Sequence, residues 1–134
     1  MKNIFSPIRN SKGQSLVETA LVLPLLLLIV FGTIEFGRVF NAYLVVSNAS
    51  REGARAAAVG KSNSEITTMA TDKAAFIGTV SVTISPSDSR PYGSEVTVTV
   101  NHTLNLIVPI IRTIIAPSGS LNVSSSTSMR VESE

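Results

Sequence analysis

The chain has 134 residues, with 11 Lys or Arg, 9 Asp or Glu, one His and no Cys. This length is typical of a single domain of about 100–200 residues. Because the sequence has no Cys, it contains no disulfide, no thiolate metal site and no cysteine nucleophile. A single His is too few for the usual His/Cys zinc site.

The first 13 residues are predicted to form a flexible basic leader. They hold three of the cations, Lys2, Arg9 and Lys12, and no acid. The other residues carry 8 basic and 9 acidic side chains, so their formal charge is −1 rather than the +2 of the whole chain. The basicity therefore marks the leader, and no nucleic-acid partner is expected. By the positive-inside rule it predicts a cytoplasmic N-terminus and an extracytoplasmic C-terminal domain.

One long helix is predicted next, from about Ser15 to about Val59, with Gly60 as its C-cap. Its first half holds an uncharged run, residues 19–34, which covers about 24 Å at ~1.5 Å per residue. The hydrocarbon core of a bilayer is ~30 Å thick, and including residues 14–18 closes the gap. Glu18 would then lie near or inside the membrane boundary, where an ionisable side chain indicates a function.

The second half of this helix carries five charged candidates for contacts on its faces: Glu35, Arg38, Arg51, Glu52 and Arg55. The first two are spaced to pair, and we expect a surface ion pair above the membrane. The last three are expected to form either a solvated face or a contact with another subunit. Small residues recur at three- and four-residue spacing over residues 49–60, which favours packing of the helix on a sheet over subunit contact.

A second helix is predicted to begin at Ser62 or Asn63, with Glu65 in its first turn, and to stop at Gly78. The sequence then alternates between apolar and polar residues, which predicts an antiparallel sheet with one buried face. The three predicted strands lie within residues 80–84, 96–100 and 121–131.

A second apolar patch covers residues 104–117. It is too short to span a membrane, and Pro109 and Arg112 interrupt it. A core segment is the favoured interpretation, while a partner surface and a contact with lipid stay open.

Gly13 is followed five residues later by Glu18, and an apolar helix begins there. Four further segments accompany this spacing, at residues 20–27, 34–38, 49–57 and 126–131. Together these segments resemble the TadE-like family, which comprises pilin-like (pseudopilin) components of the Tad, or Flp, tight-adherence pilus. The resemblance extends over almost the whole chain from Gly13.

The resemblance implies an α+β, type IV pilin-like fold. A long N-terminal transmembrane helix would continue into a small domain with a second helix and a three-stranded, or slightly larger, antiparallel sheet. The expected organisation is a cleaved cytoplasmic leader over residues 1–13, the helix over residues 14–60 and an extracytoplasmic α+β domain over residues 61–134.

The resemblance also implies that a prepilin peptidase cuts between Gly13 and Gln14. Glu18 would then pair with the freed α-amino group of a neighbouring subunit, which offsets the desolvation of both charges. The implied partners are the peptidase, other pilin-like subunits, Tad inner-membrane assembly proteins and the lipid bilayer. Gln14 stands where many pilins carry an aromatic residue, and Pro24 lies earlier than the proline of major pilins. The filament geometry of major pilins is therefore not carried over.

The expected function is that of a non-enzymatic minor pilin-like subunit, without a cofactor, in pilus assembly and surface adherence. It would lie in the cytoplasmic membrane or be incorporated in a surface pilus. The alternative is an uncleaved, single-pass, membrane-anchored extracytoplasmic binding module. A membrane-anchored enzyme is disfavoured because a triad would have to use His102, which we expect to be a solvent-facing strand residue.

Overall fold

A computed structural model describes the backbone of residues 11–132 and the side chains from residue 13 to residue 132. Lys2 and Arg9 of the predicted leader lie outside the described residues. The chain divides into two compact units, of which the first ends at Ile34 and the second begins at Glu35.

The long helix α1 covers Ser11–Ala58. It begins earlier than the predicted start near Ser15, because Gly13 weakens a helix without blocking its hydrogen bonds, and the nearest upstream proline is Pro7. Pro24 lies inside α1, and the helix continues past it.

The end of α1 follows the prediction that Gly60 caps it. Gly60 has a φ of 77°, a left-handed conformation that glycine adopts without a steric penalty. The Gly60 N–H donates to Ala57 O at 3.1 Å and the Lys61 N–H donates to Ala56 O at 3.1 Å. This pair of bonds is a Schellman motif, which satisfies carbonyl groups that the helix end leaves free.

The second helix, α2, covers Asn63–Lys73 and has Ser62 as its N-cap. The Ser62 hydroxyl and backbone N–H both donate to the Glu65 carboxylate, at 2.7 and 3.0 Å, and the Glu65 N–H donates back to the hydroxyl. This capping box stabilises the charged carboxylate, and the two bonds from Ser62 lower the pKa of Glu65. A short 3₁₀ helix, Ala75–Ile77, follows before Gly78.

Three strands form one antiparallel sheet in the order β1-β2-β3. Strand β1 covers Val80–Ser85, β2 covers Glu95–Asn105 and β3 covers Ser120–Arg130. The connection from β2 to β3 carries a short helix, α3, Pro109–Ile115, which was not predicted. The fold is therefore α+β and pilin-like, as expected from the sequence.

The core of the second unit lies between α1 and the inner face of the sheet. The buried face of α1 includes Ala42, Val46 and Ala49, and the buried apolar residues of β2 are its three valines, Val96, Val98 and Val100. A Cβ atom at Gly53 would lie only 2.9 Å from Val98 Cγ1, so the helix backbone approaches β2 closely at this point. The small residues of α1 thus pack on the sheet, as the sequence favoured.

The middle of strand β3 presents two hydroxyl residues to α1, Ser125 and Thr127, between the apolar side chains of Val123 and Met129. Ser50 is fully buried on the helix, and its hydroxyl lies 2.8 Å from Thr127 Oγ1 and 3.3 Å from Ser125 Oγ. It also donates to Ser47 O at 2.9 Å. Because these hydroxyls bond to one another, polar groups are tolerated beside the apolar core.

The outer face of the sheet is also rich in hydroxyl groups. Thr97 bonds to Ser128 across the strands at 2.6 Å, and Thr99 bonds to Ser126 in the same way. At one end of this face, Glu95 of β2 lies opposite Arg130 of β3 in the register.

The expectation that His102 faces solvent is wrong. His102 is buried, and its Nδ1 lies 3.0 Å from the carbonyl oxygen of Thr79. Side chains of a strand alternate between faces, so His102 shares the inner face with Val98 and Val100. Its position at the end of β2, opposite Val80 of β1, gives the ring a backbone partner.

The apolar patch of residues 104–117 is mostly exposed, contrary to the favoured core interpretation. Within it only Leu106 and Ala116 are buried, and α3 has no buried residue. Four isoleucines of this connection are exposed: Ile107, Ile110, Ile114 and Ile115.

Substitution of Gly53 tests the close contact between α1 and the sheet. Gly53→Leu is expected to destabilise the protein by about 1–3 kcal/mol, because the new side chain overpacks against Val98. Gly37→Leu is the matched control, since no atom lies within 4 Å of a Cβ at Gly37. Thermal unfolding of the detergent-solubilised chain, followed by circular dichroism, measures both. Equal melting temperatures for the two variants would contradict the packing described here.

Candidate processing, assembly and anchoring site

The first unit presents a continuous apolar surface. Within the described residues, α1 is the one helix that is long and apolar enough to cross a membrane. Its large side chains are exposed over the uncharged run, Leu21 and Leu25 among them. The hydroxyls of Thr19 and Thr33 donate to the carbonyl oxygens of Ser15 and Ile29, each at 2.9 Å, so the polar groups of the run are bonded within the helix. Such a surface suits lipid.

Gly13 and Gln14 lie in the first turns of α1. Gln14 is exposed and Gly13 is half-buried. The first turn of the helix contains no acidic residue, so nothing there complements the positive end of the helix dipole. Both residues lie at the end of the helix that is the easier one to unwind, since terminal turns lack half of their backbone bonds.

Glu18 is exposed one helical turn beyond Gln14. It borders a shallow groove on the helix surface with Thr19, Val22, Leu23 and Leu26. Among residues 13–132, no side chain bonds to its carboxylate or pairs with it. Within the described residues, Glu18 therefore presents an unpaired carboxylate at the start of the apolar run.

Glu35 and Arg38 form the predicted ion pair, but Glu35 is buried rather than on the surface. The residue is 3% exposed, and Arg38 Nη1 donates to Glu35 Oε1 at 2.7 Å. The other carboxylate oxygen accepts the Ile107 N–H at 3.2 Å, and Arg38 Nη2 donates to Asn105 O at 3.3 Å. The pair thus ties α1 to the connection that follows β2.

The burial of Glu35 follows from its place on the helix. Glu35 and Gly53 are 18 residues apart, which is five turns at 3.6 residues per turn, so they lie on the same face. Ala42 and Ala49 belong to that face and are also buried. Extending the small-residue pattern backwards along α1 would therefore have predicted an inward carboxylate. Its partners in the β2–β3 connection left no signal in the sequence.

Arg51, Glu52 and Arg55 lie on the opposite, hydrated side of α1. Arg55 Nη2 donates to Glu52 Oε1 at 2.5 Å. Arg51 and Arg55 are exposed, and Glu52 is half-buried. A pair of this kind in water contributes little to stability.

The described residues hold no group of three or more His, Cys, Asp or Glu side chains that is arranged to bind a metal ion. The eight candidate residues are instead spread along α1. Gly13, Gln14 and Glu18 lie in the first unit. The second unit holds the two ion pairs, Glu35 with Arg38 and Glu52 with Arg55, and also Arg51.

The family model described as TadE-like protein matches residues 13–55, about a third of the 134 residues. Over this segment the chain is similar to the TadE-like family. The match confirms the resemblance inferred from the sequence, and it contains all eight candidate residues. Residues 126–131 lie outside it, so the resemblance there stays a prediction. No curated protein and no solved structure matches the chain.

The TadE-like match supports a structural component associated with the Tad pilus, one that interacts with other pilus components. The long apolar helix indicates single-pass anchoring in a membrane. These two findings fit together, because the matched segment includes the whole uncharged run and most of the part of α1 that contributes to the core.

The two ion pairs of α1 are expected to differ in their contributions to stability. Glu35→Ala removes the buried carboxylate that accepts from Arg38 and from the Ile107 N–H, which is expected to cost about 1–3 kcal/mol. Glu52→Ala is the matched control, and its loss is expected to stay within about 0–1 kcal/mol. Urea unfolding of the detergent-solubilised chain measures both. Equal free energies of unfolding for the two variants would show that the buried Glu35 contacts stabilise the protein no more than the exposed Glu52–Arg55 pair does.

Proposed function

We propose that the chain is a minor pilin-like (pseudopilin) subunit of a Tad/Flp-type pilus or secretion machine. Its N-terminus is cytoplasmic, and its C-terminal domain is extracytoplasmic and acts in pilus assembly and surface adherence. The observation that carries the proposal is the spacing of Gly13 and Glu18 at the start of an apolar, TadE-like helix. The proposed organisation is a leader over residues 1–13, the helix over residues 14–60 and the extracytoplasmic part over residues 61–134.

A prepilin peptidase is the proposed processing enzyme, with its cut between Gly13 and Gln14. The exposure of Gln14 and the terminal position of this turn support the proposal, because a protease needs an accessible and locally unwound peptide. The cut removes three cations and no acid, so the side-chain charge of the chain changes sign, from +2 to −1. Gln14 then carries a new α-amino group one turn from Glu18.

Glu18 is the proposed assembly carboxylate. Of the acidic residues on α1, Glu35 and Glu52 already have an Arg partner, whereas the described residues offer Glu18 none. A charge in lipid is costly when it is unpaired. The α-amino group of a neighbouring subunit would offset this cost, and the penalty for leaving Glu18 unpaired would favour assembly.

Intact mass spectrometry tests the processing. The full chain is expressed with and without the prepilin peptidase, and we expect loss of residues 1–13 only when the peptidase is present. Gly13→Leu is expected to block the cut, whereas Gly37→Leu, the same substitution farther along α1, is expected to be cut normally. A chain that keeps its Met1 end beside an active peptidase contradicts the proposal and favours the uncleaved anchored binding module.

Neutralising Glu18 tests its role in assembly. Glu18→Gln is expected to abolish assembly of pili on the cell surface, while the stability of the isolated subunit is unchanged because Glu18 has no partner among the described residues. Glu18→Asp should retain part of the assembly, since it keeps the charge. The matched control is Glu52→Gln, which removes a charge from the hydrated side of the same helix. Normal pili in the Glu18→Gln strain would remove the assembly role.

A further inference from the structure

We propose that one end of the second unit rests in the interface of the lipid bilayer, with the isoleucines of α3 inserted among the headgroups and outer acyl carbons. This end, here called the Glu35 end, comprises Glu35 with the sheet ends at Val80, Asn105 and Ser120 and the segments that connect them. The opposite end, at Ala58, is called the Ala58 end. The inference depends on membrane anchoring by α1, but on neither cleavage nor assembly into a pilus.

Exposed apolar side chains are concentrated at the Glu35 end. After α1, the described residues expose seven large hydrophobic side chains. Two of them, Val59 and Tyr92, lie at the Ala58 end. The other five lie at the Glu35 end, in the 3₁₀ helix and the β2–β3 connection: Phe76, Ile107, Ile110, Ile114 and Ile115. Large exposed apolar patches on a soluble surface mark a contact with a partner or a membrane.

Helix α3 has the polarity of a helix that lies in a membrane interface. At about 100° per residue, Ile110, Ile114 and Ile115 lie on one side, and Arg112 and Thr113 lie on the other. Ile114 is 76% exposed. The Thr113 hydroxyl donates to the carbonyl oxygen of Pro109 at 2.9 Å, so it needs no water. An apolar face opposite a cationic residue is the arrangement that holds short helices at a lipid surface.

Two contacts with Gly119 hold the β2–β3 connection against the start of β3. The stem of Arg112 lies beside Gly119, where a Cβ would be 3.3 Å from the Arg112 Cδ atom. The backbone N–H of Leu106 donates to the carbonyl oxygen of Gly119 at 3.2 Å. The isoleucines are therefore exposed on an ordered connection, bonded to the start of β3, rather than on a free loop.

The bond between Glu35 and Ile107 sets the level of this connection. Ile34 is the last residue of the uncharged run, and Glu35 follows it directly. The Ile107 N–H donates to Glu35 Oε2 at 3.2 Å, so the backbone of Ile107 lies beside the first residue after the run. If the run lies in the bilayer, the isoleucines that follow Ile107 begin at the level where the lipid ends.

The side chains of α1 around this level are also apolar. The uncharged run of 16 residues is short of a ~30 Å hydrocarbon core by ~6 Å. The charge of Glu35 is turned into the protein, and Phe36 and Phe40 are exposed and stack with ring centroids 6.3 Å apart. Tyr43 is exposed one turn farther on. Aromatic residues favour the boundary between lipid and water, so this boundary matches the Glu35 end.

Lipid is the occupant that accounts for both groups of side chains. The exposed isoleucines of the β2–β3 connection and the exposed aromatic residues of α1 both begin next to Glu35. Glu35 in turn directly follows the uncharged run, whose large side chains are exposed. A second copy of the chain or a different protein would have to cover α3 separately from the lipid that surrounds the uncharged run. These two occupants are alternatives that the experiment below distinguishes.

Fluorescence quenching by brominated lipid tests the proposal, because the chain contains no Trp of its own. Two single-Trp variants of the full chain, Ile114→Trp at the Glu35 end and Tyr92→Trp at the Ala58 end, are reconstituted in phosphatidylcholine vesicles. Both positions are exposed, so neither variant disturbs the core. With bromines at shallow acyl positions, we expect the emission of Trp at position 114 to fall several-fold and to be blue-shifted, while Trp at position 92 is unquenched.

Three results would overturn the proposal. The first is an unquenched, red-shifted Trp at position 114, which means that α3 stays in water. The second is a blue shift without quenching that disappears when the protein is diluted with lipid, which means that another copy covers α3. The third is equal quenching at positions 114 and 92, which means that no particular end of the unit faces lipid. None of these results depends on the peptidase, so failure here is distinguishable from failure of the pilus proposal.

Discussion

The close contact between α1 and the middle of β2 is the constraint on which the second unit depends. Gly53 lets the helix backbone come within reach of Val98, and only small residues on the neighbouring turns of α1 permit this distance. The sheet is a single layer of three strands, and its apolar face has to be buried against another element, which here is α1. The position of α1 therefore decides which face of each strand is buried, and it brings Ser50 within hydrogen-bond distance of Ser125 and Thr127 on β3.

The three carboxylates of α1 show how one helix serves different surroundings. Glu52 lies in water beside Arg55, and its contribution to folding is small. Glu35 is buried, and its two oxygens are used by Arg38 and by the Ile107 N–H. Glu18 has no partner within residues 13–132 and lies directly before the uncharged, mostly apolar run. The paired carboxylates interact within the subunit, whereas the unpaired carboxylate of Glu18 is free to form an ion pair with another molecule.

Much of this fold follows from local sequence rules, and the exceptions have physical causes. The Ser62 capping box, the Gly60 cap and the alternation of the strands depend on neighbours within a few residues, so the sequence predicts them. The burial of His102 follows from the same alternation, because it has the parity of Val98, whereas its polar ring taken alone favours an exposed position. The partners of Glu35 and the exposure of the isoleucines of α3 depend on contacts between distant parts of the chain. In the candidate site, the sequence identified the residues of α1 but not what they touch.

The hydroxyl-rich outer face of the sheet has a consequence of its own. Its bonded pairs, Thr97 with Ser128 and Thr99 with Ser126, are uncharged, and the nearest opposite charges are confined to one end, at Glu95 and Arg130. Neither ionic strength nor a modest change of acidity alters the hydration of such a surface, since hydroxyl groups do not titrate in water. Two copies of this face that approach each other would therefore neither repel one another electrostatically nor associate through apolar contact. The wettability of the exposed sheet thus stays constant while the composition of the surrounding medium varies.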